Sequence, residues 1–240
     1  MKKTLILGLY LLSTTTFAQD ILPESNPDHE FAYEDIETVQ FSNYEEAANW
    51  ADLVAVVQVV NIDYQKTRKL NAKGQAFLNI LVPYKGAKKN ELVIVNESGF
   101  EDDACYYPDR ENEGARYLVF LKQTTNEMEY VGFKPLCQLQ VLINELGRYA
   151  LRYPLDTDLA LPEDAPQAMR FADPHAVIDA TEWSYASREK HMEKFASELS
   201  EDSDLFQKYY YLTYTQGVDL GVVRKLMNIP IKQRIRSKQL

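Results

Sequence analysis

The chain has 240 residues, 45% of them hydrophobic and 26% charged, with 36 acidic against 26 basic side chains for a net charge of −10. That is room for one good-sized domain, or one domain with an appendage, and enough to bury a core without needing disulfides to fold. The acidic balance excludes a general affinity for nucleic acid or anionic membrane, 9 Gly and 10 Pro exclude a collagenous or linker-like chain, and 16 Tyr with 10 Phe argue against disorder.

Met1-Lys2-Lys3 is a short basic start, Thr4 to Leu12 is nearly all apolar, and Thr16-Phe17-Ala18 puts small residues at the −3 and −1 positions of a cleavage site after Ala18. These are the parts of a secretory signal over residues 1–18, with Gln19 as the expected first residue of the mature chain. The apolar run, about nine residues, is too short to cross a bilayer, and no later stretch approaches the roughly 18 apolar residues that a span needs, so no membrane span is expected. The expected localisation is outside the cytosol, in the periplasm or medium of a bacterium, the host being read only from the short Lys-Lys start.

Export sets the reading of the two cysteines, Cys105 and Cys137. In an oxidising compartment an isolated pair is expected to form one disulfide. The rival readings are a metal site and a catalytic thiol. A metal would need partners, and His29, His175 and His191 all lie far from either cysteine in sequence.

Residues 20 to 60 hold ten acids and no Lys or Arg, and residues 19–40 read as an acidic, extended arm. Ser42-Asn43-Tyr44-Glu45 has the form of a capping box opening a short helix through about Trp50. Strand patterns follow at Ala51 to Tyr64, Ala76 to Tyr84, Leu92 to Asn96, Arg116 to Lys122, Glu129 to Phe133, Leu136 to Ile143 and Arg148 to Tyr153. The stretch from Lys66 to Gly74 reads as a polar loop. Strands joined by turns rather than helices predict an antiparallel sheet, and their number suits a small closed barrel over residues 41–155. Residues 156–240 read as a linker and a small C-terminal helical region. Asp173-Pro174 resembles a cap followed by an N1 proline, and Ile178, Tyr185, Met192 and Leu199 recur every seven residues. A second helix is expected over Leu205 to Tyr214, with Tyr210 and Tyr214 on one face, and a third over Val218 to Asn228. The last eleven residues carry Lys232, Arg234, Arg236 and Lys238 and no acid.

Four features of the middle segment resemble the netrin-like module, the fold of the tissue inhibitors of metalloproteinases. Ala51-Asp52-Leu53-Val54 opens a long Val-rich strand, and Pro83-Tyr84-Lys85-Gly86 is followed by Leu92-Val93-Ile94-Val95. Cys105 precedes Gly114-Ala115-Arg116-Tyr117-Leu118-Val119-Phe120-Leu121, and Cys137 follows about a hairpin later. The resemblance covers about residues 50–143 and implies an OB-type barrel whose cysteine pair ties a loop to a strand. The inhibitors chelate zinc through a cysteine at the mature N-terminus. Here no cysteine precedes Cys105, so that mode of inhibition is not carried over.

No nucleophile elbow, phosphate-binding Gly loop or zinc-protease motif is present, so no catalytic residue, cofactor or metal is assigned. Glu101-Asp102-Asp103 lacks the Gly-spaced alternation of a calcium loop. His191 reads as part of a charged, solvated helix face with Glu189 and Glu193, and His175 as a surface residue. Residues 61 to 90, in contrast, hold seven bases and one acid. Lys66, Arg68, Lys69 and Lys73 fall between the first two strands, where OB barrels present a ligand-facing loop. Lys85, Lys88 and Lys89 follow the second strand. The expected function is a non-enzymatic binding module contacting a protein or a polyanion through barrel loops, Lys66, Arg68, Lys69 and Lys73 foremost. The alternatives are a structural component of an envelope or surface assembly that docks through its C-terminal helices, and an inhibitor of the metalloproteinase-inhibitor kind.

Overall fold

The Val-rich run after Asp52 is buried on both of its faces, and this explains why it reads as continuously apolar rather than alternating. In the computed structural model, which describes residues 41–66, 71–100, 105–106, 113–126 and 128–230, this run is β1 (Leu53–Lys66). It is followed by β2 (Asn71–Lys85), β3 (Leu92–Phe100), β4 (Arg116–Gln123) and β5 (Glu129–Val131). β1 pairs antiparallel with β2 and with β4, β2 with β3, and β4 with β5, while β3 and β5 run parallel. The five strands therefore close into a ring in the order β1-β2-β3-β5-β4, an OB-type barrel. The single parallel pair is a departure from the purely antiparallel sheet expected.

Leu53, Ala55, Val57 and Val59 of β1 point into the ring, where they meet Leu78 and Ile80 of β2, Val93 and Val95 of β3, and Tyr117, Val119 and Leu121 of β4. Val54 and Val56 of β1, with Leu118 and Phe120 of β4, point outward into a second core. That core is closed by α1 (Tyr44–Trp50), by β6 (Leu139–Ile143) and β7 (Tyr149–Arg152), and by α3 (Leu220–Leu226), which packs on α1. β6 extends the sheet from β4, and β7, β12 (Gln216–Asp219) and β8 (Gln167–Ala168) continue it. A separate three-stranded sheet has the order β10-β11-β9, from β10 (Ser197–Ser203), β11 (Lys208–Tyr214) and β9 (Val177–Asp179). α2 (Tyr185–Lys194) is fastened to it by Arg188, whose guanidinium stacks 4.0 Å from the Tyr210 ring centroid and donates to the carbonyls of Ala180 and Trp183.

Several local expectations are corrected. The cap of α1 is Asn43 rather than Ser42: the Asn43 side chain accepts from the Glu46 amide at 2.9 Å, and Glu46 accepts from Ser42. Lys66 and the stretch from Asn71 to Gly74 are strand, because β1 and β2 stay in register to Lys66↔Ala72. The seven-residue recurrence is helical only across Tyr185–Lys194. Ile178 lies in β9 opposite Leu212, and Leu199 lies in β10, since Ser184 caps a new helix that Phe195 ends in extended backbone. Lys208–Tyr214 is a strand, not a helix: its tyrosines and Thr213 favour pleated backbone, and Leu212 and Tyr214 are buried two residues apart. Residues 1–18, the arm 19–40, Arg68, Lys69, Glu101-Asp102-Asp103 and the basic tail after Pro230 lie outside the described residues.

Candidate functional site

The barrel closes only over part of its strands. β1 meets β4 from Leu53 to Gln58, and beyond Gln58 its ladder with β2 runs on through Asp63↔Gln75, Gln65↔Lys73 and Lys66↔Ala72. β3 follows, pairing Gly74↔Glu97 and Asn71↔Phe100. Three strands thus outrun the ring as an arm. A polar relay stands at its root: Gln75 donates to Asn96 at 2.8 Å, and Asn96, itself buried, donates to Glu129 of β5 at 2.7 Å. Each buried polar group there has a partner, which holds the departure of the arm from the ring in one geometry.

The register brings Lys66 and Lys73 to the far end of this arm, one on each strand and one step apart in the ladder. Arg68 and Lys69 belong to the connection between them, outside the described residues. The other three bases go to the opposite end of β2. Lys88 and Lys89 are exposed in the turn before β3. Lys85 is not a surface cation at all: its ammonium donates to the carbonyls of Ala48 at 2.8 Å, Asn49 at 3.2 Å and Ala51 at 2.5 Å. These are the unsatisfied last carbonyls of α1 and the negative end of its dipole. The seven bases of residues 61–90 therefore divide into one group at the arm and another at the α1 end.

Cys105 and Cys137 form a disulfide with a Cα–Cα separation of 6.0 Å, and both are fully buried among the barrel-lining residues. Gly132 makes room for it, since a Cβ there would lie 2.7 Å from the Cys137 Cβ. Tyr106, next to Cys105, donates its hydroxyl to the Cys137 carbonyl and packs its ring 5.4 Å from that of Tyr117. Buried and bonded, the pair is a structural tie and offers no thiol.

A second concave region was not legible in the sequence. An open cleft of about 870 Å³ lies between Phe41, Ser42 and Glu46, the Phe133–Leu136 segment, residues 155–159 and Lys194. In its wall Asp156 bridges two cations, Arg152 at 2.9 Å and Lys194 at 2.9 Å. Burial pushes the Asp156 carboxyl up, but the hydrogen bonds and charges of Lys194 and Arg152 outweigh it and hold the group below the usual carboxylate range. The Arg152 guanidinium lies 4.4 Å from the Phe195 ring centroid and 5.1 Å from that of Tyr214. His191 is in the same cluster, 4.7 Å from Phe195 and 5.4 Å from Trp183 between ring centroids. Burial, and then the charges of Arg152 and Lys194, push its imidazole below the ordinary histidine value. This corrects the reading of His191 as a solvated residue: its Nε2 is buried. His175 is half-buried as well, its Nδ1 3.3 Å from the buried carboxylate of Asp173, which also holds Arg116 at 3.0 Å.

Among the described residues no group of three or more His, Cys, Asp and Glu side chains is placed to hold a metal ion. No helix of the described residues is long and apolar enough to cross a membrane. Comparison with protein-family models, with curated proteins and with solved structures finds no match to this chain.

Proposed function

We propose that the chain is an exported, non-enzymatic binding module on a netrin-like barrel, and that the β1–β2 arm contacts a polyanion such as an acidic glycan or a lipopolysaccharide phosphate. One observation carries the reading. The ladder from Gln58 to Lys66 takes the hairpin past the closed ring and sets Lys66 and Lys73 at its end, with Arg68 and Lys69 in the connection between. From Lys66 to Lys73 the sequence holds four bases and no acid on a chain whose net charge is −10, and a run of this kind attracts polyanions at a distance that salt shortens. The netrin-like assignment is supported by the ring order and by a cysteine pair tying the segment before β4 to the one before β6.

The test is retention on a heparin matrix across a salt gradient. The wild-type chain is expected to be held and to elute at a salt concentration that falls when Lys66, Arg68, Lys69 and Lys73 are all changed to Ala. Equal elution of the two proteins would overturn the reading.

A further inference from the structure

Leu205 and Phe206, each 94% exposed, are the most exposed large apolar side chains among the described residues. They stand at the tip of the β10–β11 hairpin, beyond its last rung Ser203↔Lys208. The turn that carries them is tightly bonded. The Asp204 carboxylate accepts from the amides of Phe206 at 2.7 Å and Gln207 at 2.8 Å and from the Tyr209 hydroxyl at 2.9 Å, and the Asp204 amide donates to the Gln207 carbonyl at 3.0 Å. Two large apolar groups are thus held out into water by a turn already ordered in the free chain. Exposed apolar groups on a preorganised support are the form of a contact surface.

The same chain holds a concave counterpart. The cleft of about 870 Å³ has Phe41, Phe133, Pro135, Leu136, Leu155 and Leu159 among its lining. The tip does not occupy the cleft of its own chain. Its two side chains are exposed, and β10 starts at Ser197, three residues after Lys194 of the cleft wall, then runs seven residues, about 20 Å, before the turn. We propose that Leu205 and Phe206 of one copy seat in the cleft of a second copy. Reciprocal insertion about a two-fold axis closes the pair, each copy giving one tip and one cleft.

Area and charge both favour this occupant. A tip with one Phe and one Leu offers about 300 Å², so two tips and the cleft walls they cover remove about 1,200 Å² from water, the lower edge of the range for specific interfaces. At the base of the tip Glu201 is ion-paired with Lys208, while Asp202 and Asp204 have no ion pair among the described residues, which leaves a negative surplus. In the cleft wall Arg152 and Lys194 share the single carboxylate of Asp156, which leaves a positive one. Glu46 and Asp158 also line the cleft, so the tip enters with its acids toward Lys194. The same acids oppose a lipid surface, where charged groups carried in behind an inserted tip are costly.

Sedimentation velocity on the full-length protein, over about a hundredfold range of concentration, tests the proposal. The wild type is expected to pass from monomer to dimer as concentration rises. The tip variant Leu205→Ser with Phe206→Ser, and the cleft variant Thr157→Trp, which fills the cleft with an indole, are each expected to stay monomeric. Slow amide exchange across β1–β4 in both variants shows that the barrel is intact. An equal mixture of the two is expected to dimerise again, because the intact tip of one meets the intact cleft of the other. With one contact in place of two, its dissociation constant should be at least about tenfold weaker than that of the wild type. A wild type that stays monomeric would overturn the proposal, as would dimerisation of either variant alone or a mixture that stays monomeric. A monomeric wild type that sediments with phosphatidylcholine vesicles, and loses this with the tip variant, would overturn it by assigning the tip to lipid.

Discussion

Gly86 lies so close to Asp52 that a Cβ on it would stand 2.0 Å from the Asp52 carbonyl oxygen, and its φ is +71°. The turn after β2 therefore seats directly on the start of β1, and two independent constraints require glycine there. Gly86→Ala would adopt a left-handed conformation unfavourable to L side chains and would drive its Cβ into the Asp52 carbonyl, which is backbone and cannot swing away as a side chain could. A loss of at least about 2 kcal/mol is expected, read as a lower urea midpoint at unchanged slope.

The preceding residue gives a separate prediction. Lys85→Met keeps most of the aliphatic stem and removes the ammonium that bonds three carbonyls at the end of α1. Those carbonyls would be left to water or unpaired, at a cost of about 1–3 kcal/mol. The heparin elution of Lys85→Met is expected to equal wild type, because this cation is at the opposite end of β2 from Lys73. Elution as early as that of the arm variant would contradict the division of the basic residues into two groups.

The disulfide closes a segment of 32 residues. Chain-entropy arguments give a stabilisation of roughly 3–4 kcal/mol for such a loop. The paired variant Cys105→Ala with Cys137→Ala is expected to lose stability of that order in urea unfolding. Alkylation of the unreduced, unfolded wild-type protein should label no thiol.

His191 makes stability depend on pH in a direction that can be worked out. The folded protein holds its imidazole below the ordinary value through burial, aided by Arg152 and Lys194 and opposed by Asp156. In the unfolded chain the ring takes up a proton as pH falls through about 6.5. The unfolded state then binds more protons than the folded one, so stability is lost as pH falls through that value toward the folded pKa. Above about pH 6.5 both states are neutral and this group contributes no slope. The stability of His191→Phe relative to wild type is therefore expected to rise between pH 7 and pH 5. The His191 resonances of the wild type should titrate with a midpoint below the ordinary value, and Arg152→Met should raise that midpoint. A wild-type midpoint at or above the ordinary value would contradict the packing described.

The barrel was legible because its strands carry their own pattern. β1 and β4 are apolar on both faces, and β2 alternates, with Ala76, Leu78 and Ile80 buried between more exposed neighbours. The disulfide was legible from the number of cysteines and the expectation of export. What failed depended on partners far along the chain. Nothing near Lys85 in sequence shows that its ammonium belongs to a helix 36 residues earlier. Arg152, Asp156, His191, Phe195 and Tyr214 come from three separate stretches, and only the packing of α2 and β11 against the end of β7 gathers them. The tyrosine-rich segment was misread as a helix because (210, 214) spacing is helical, whereas its burial follows the two-residue period of β11. Only the tip of the arm, Lys66 and Asn71 to Gly74, reads as a loop in the sequence, because its polar residues carry no core pattern. They extend as strand through backbone pairing with β2 and β3 beyond the last buried positions.

The site itself is most directly tested by following backbone amide shifts during titration with a size-defined sulfated oligosaccharide. The account predicts perturbations concentrated in residues 63–75 and in their β3 partners Glu97–Phe100, fading as salt is raised. Shifts centred on the Lys88–Lys89 turn or on the cleft around Asp156, or no shifts at all, would contradict it.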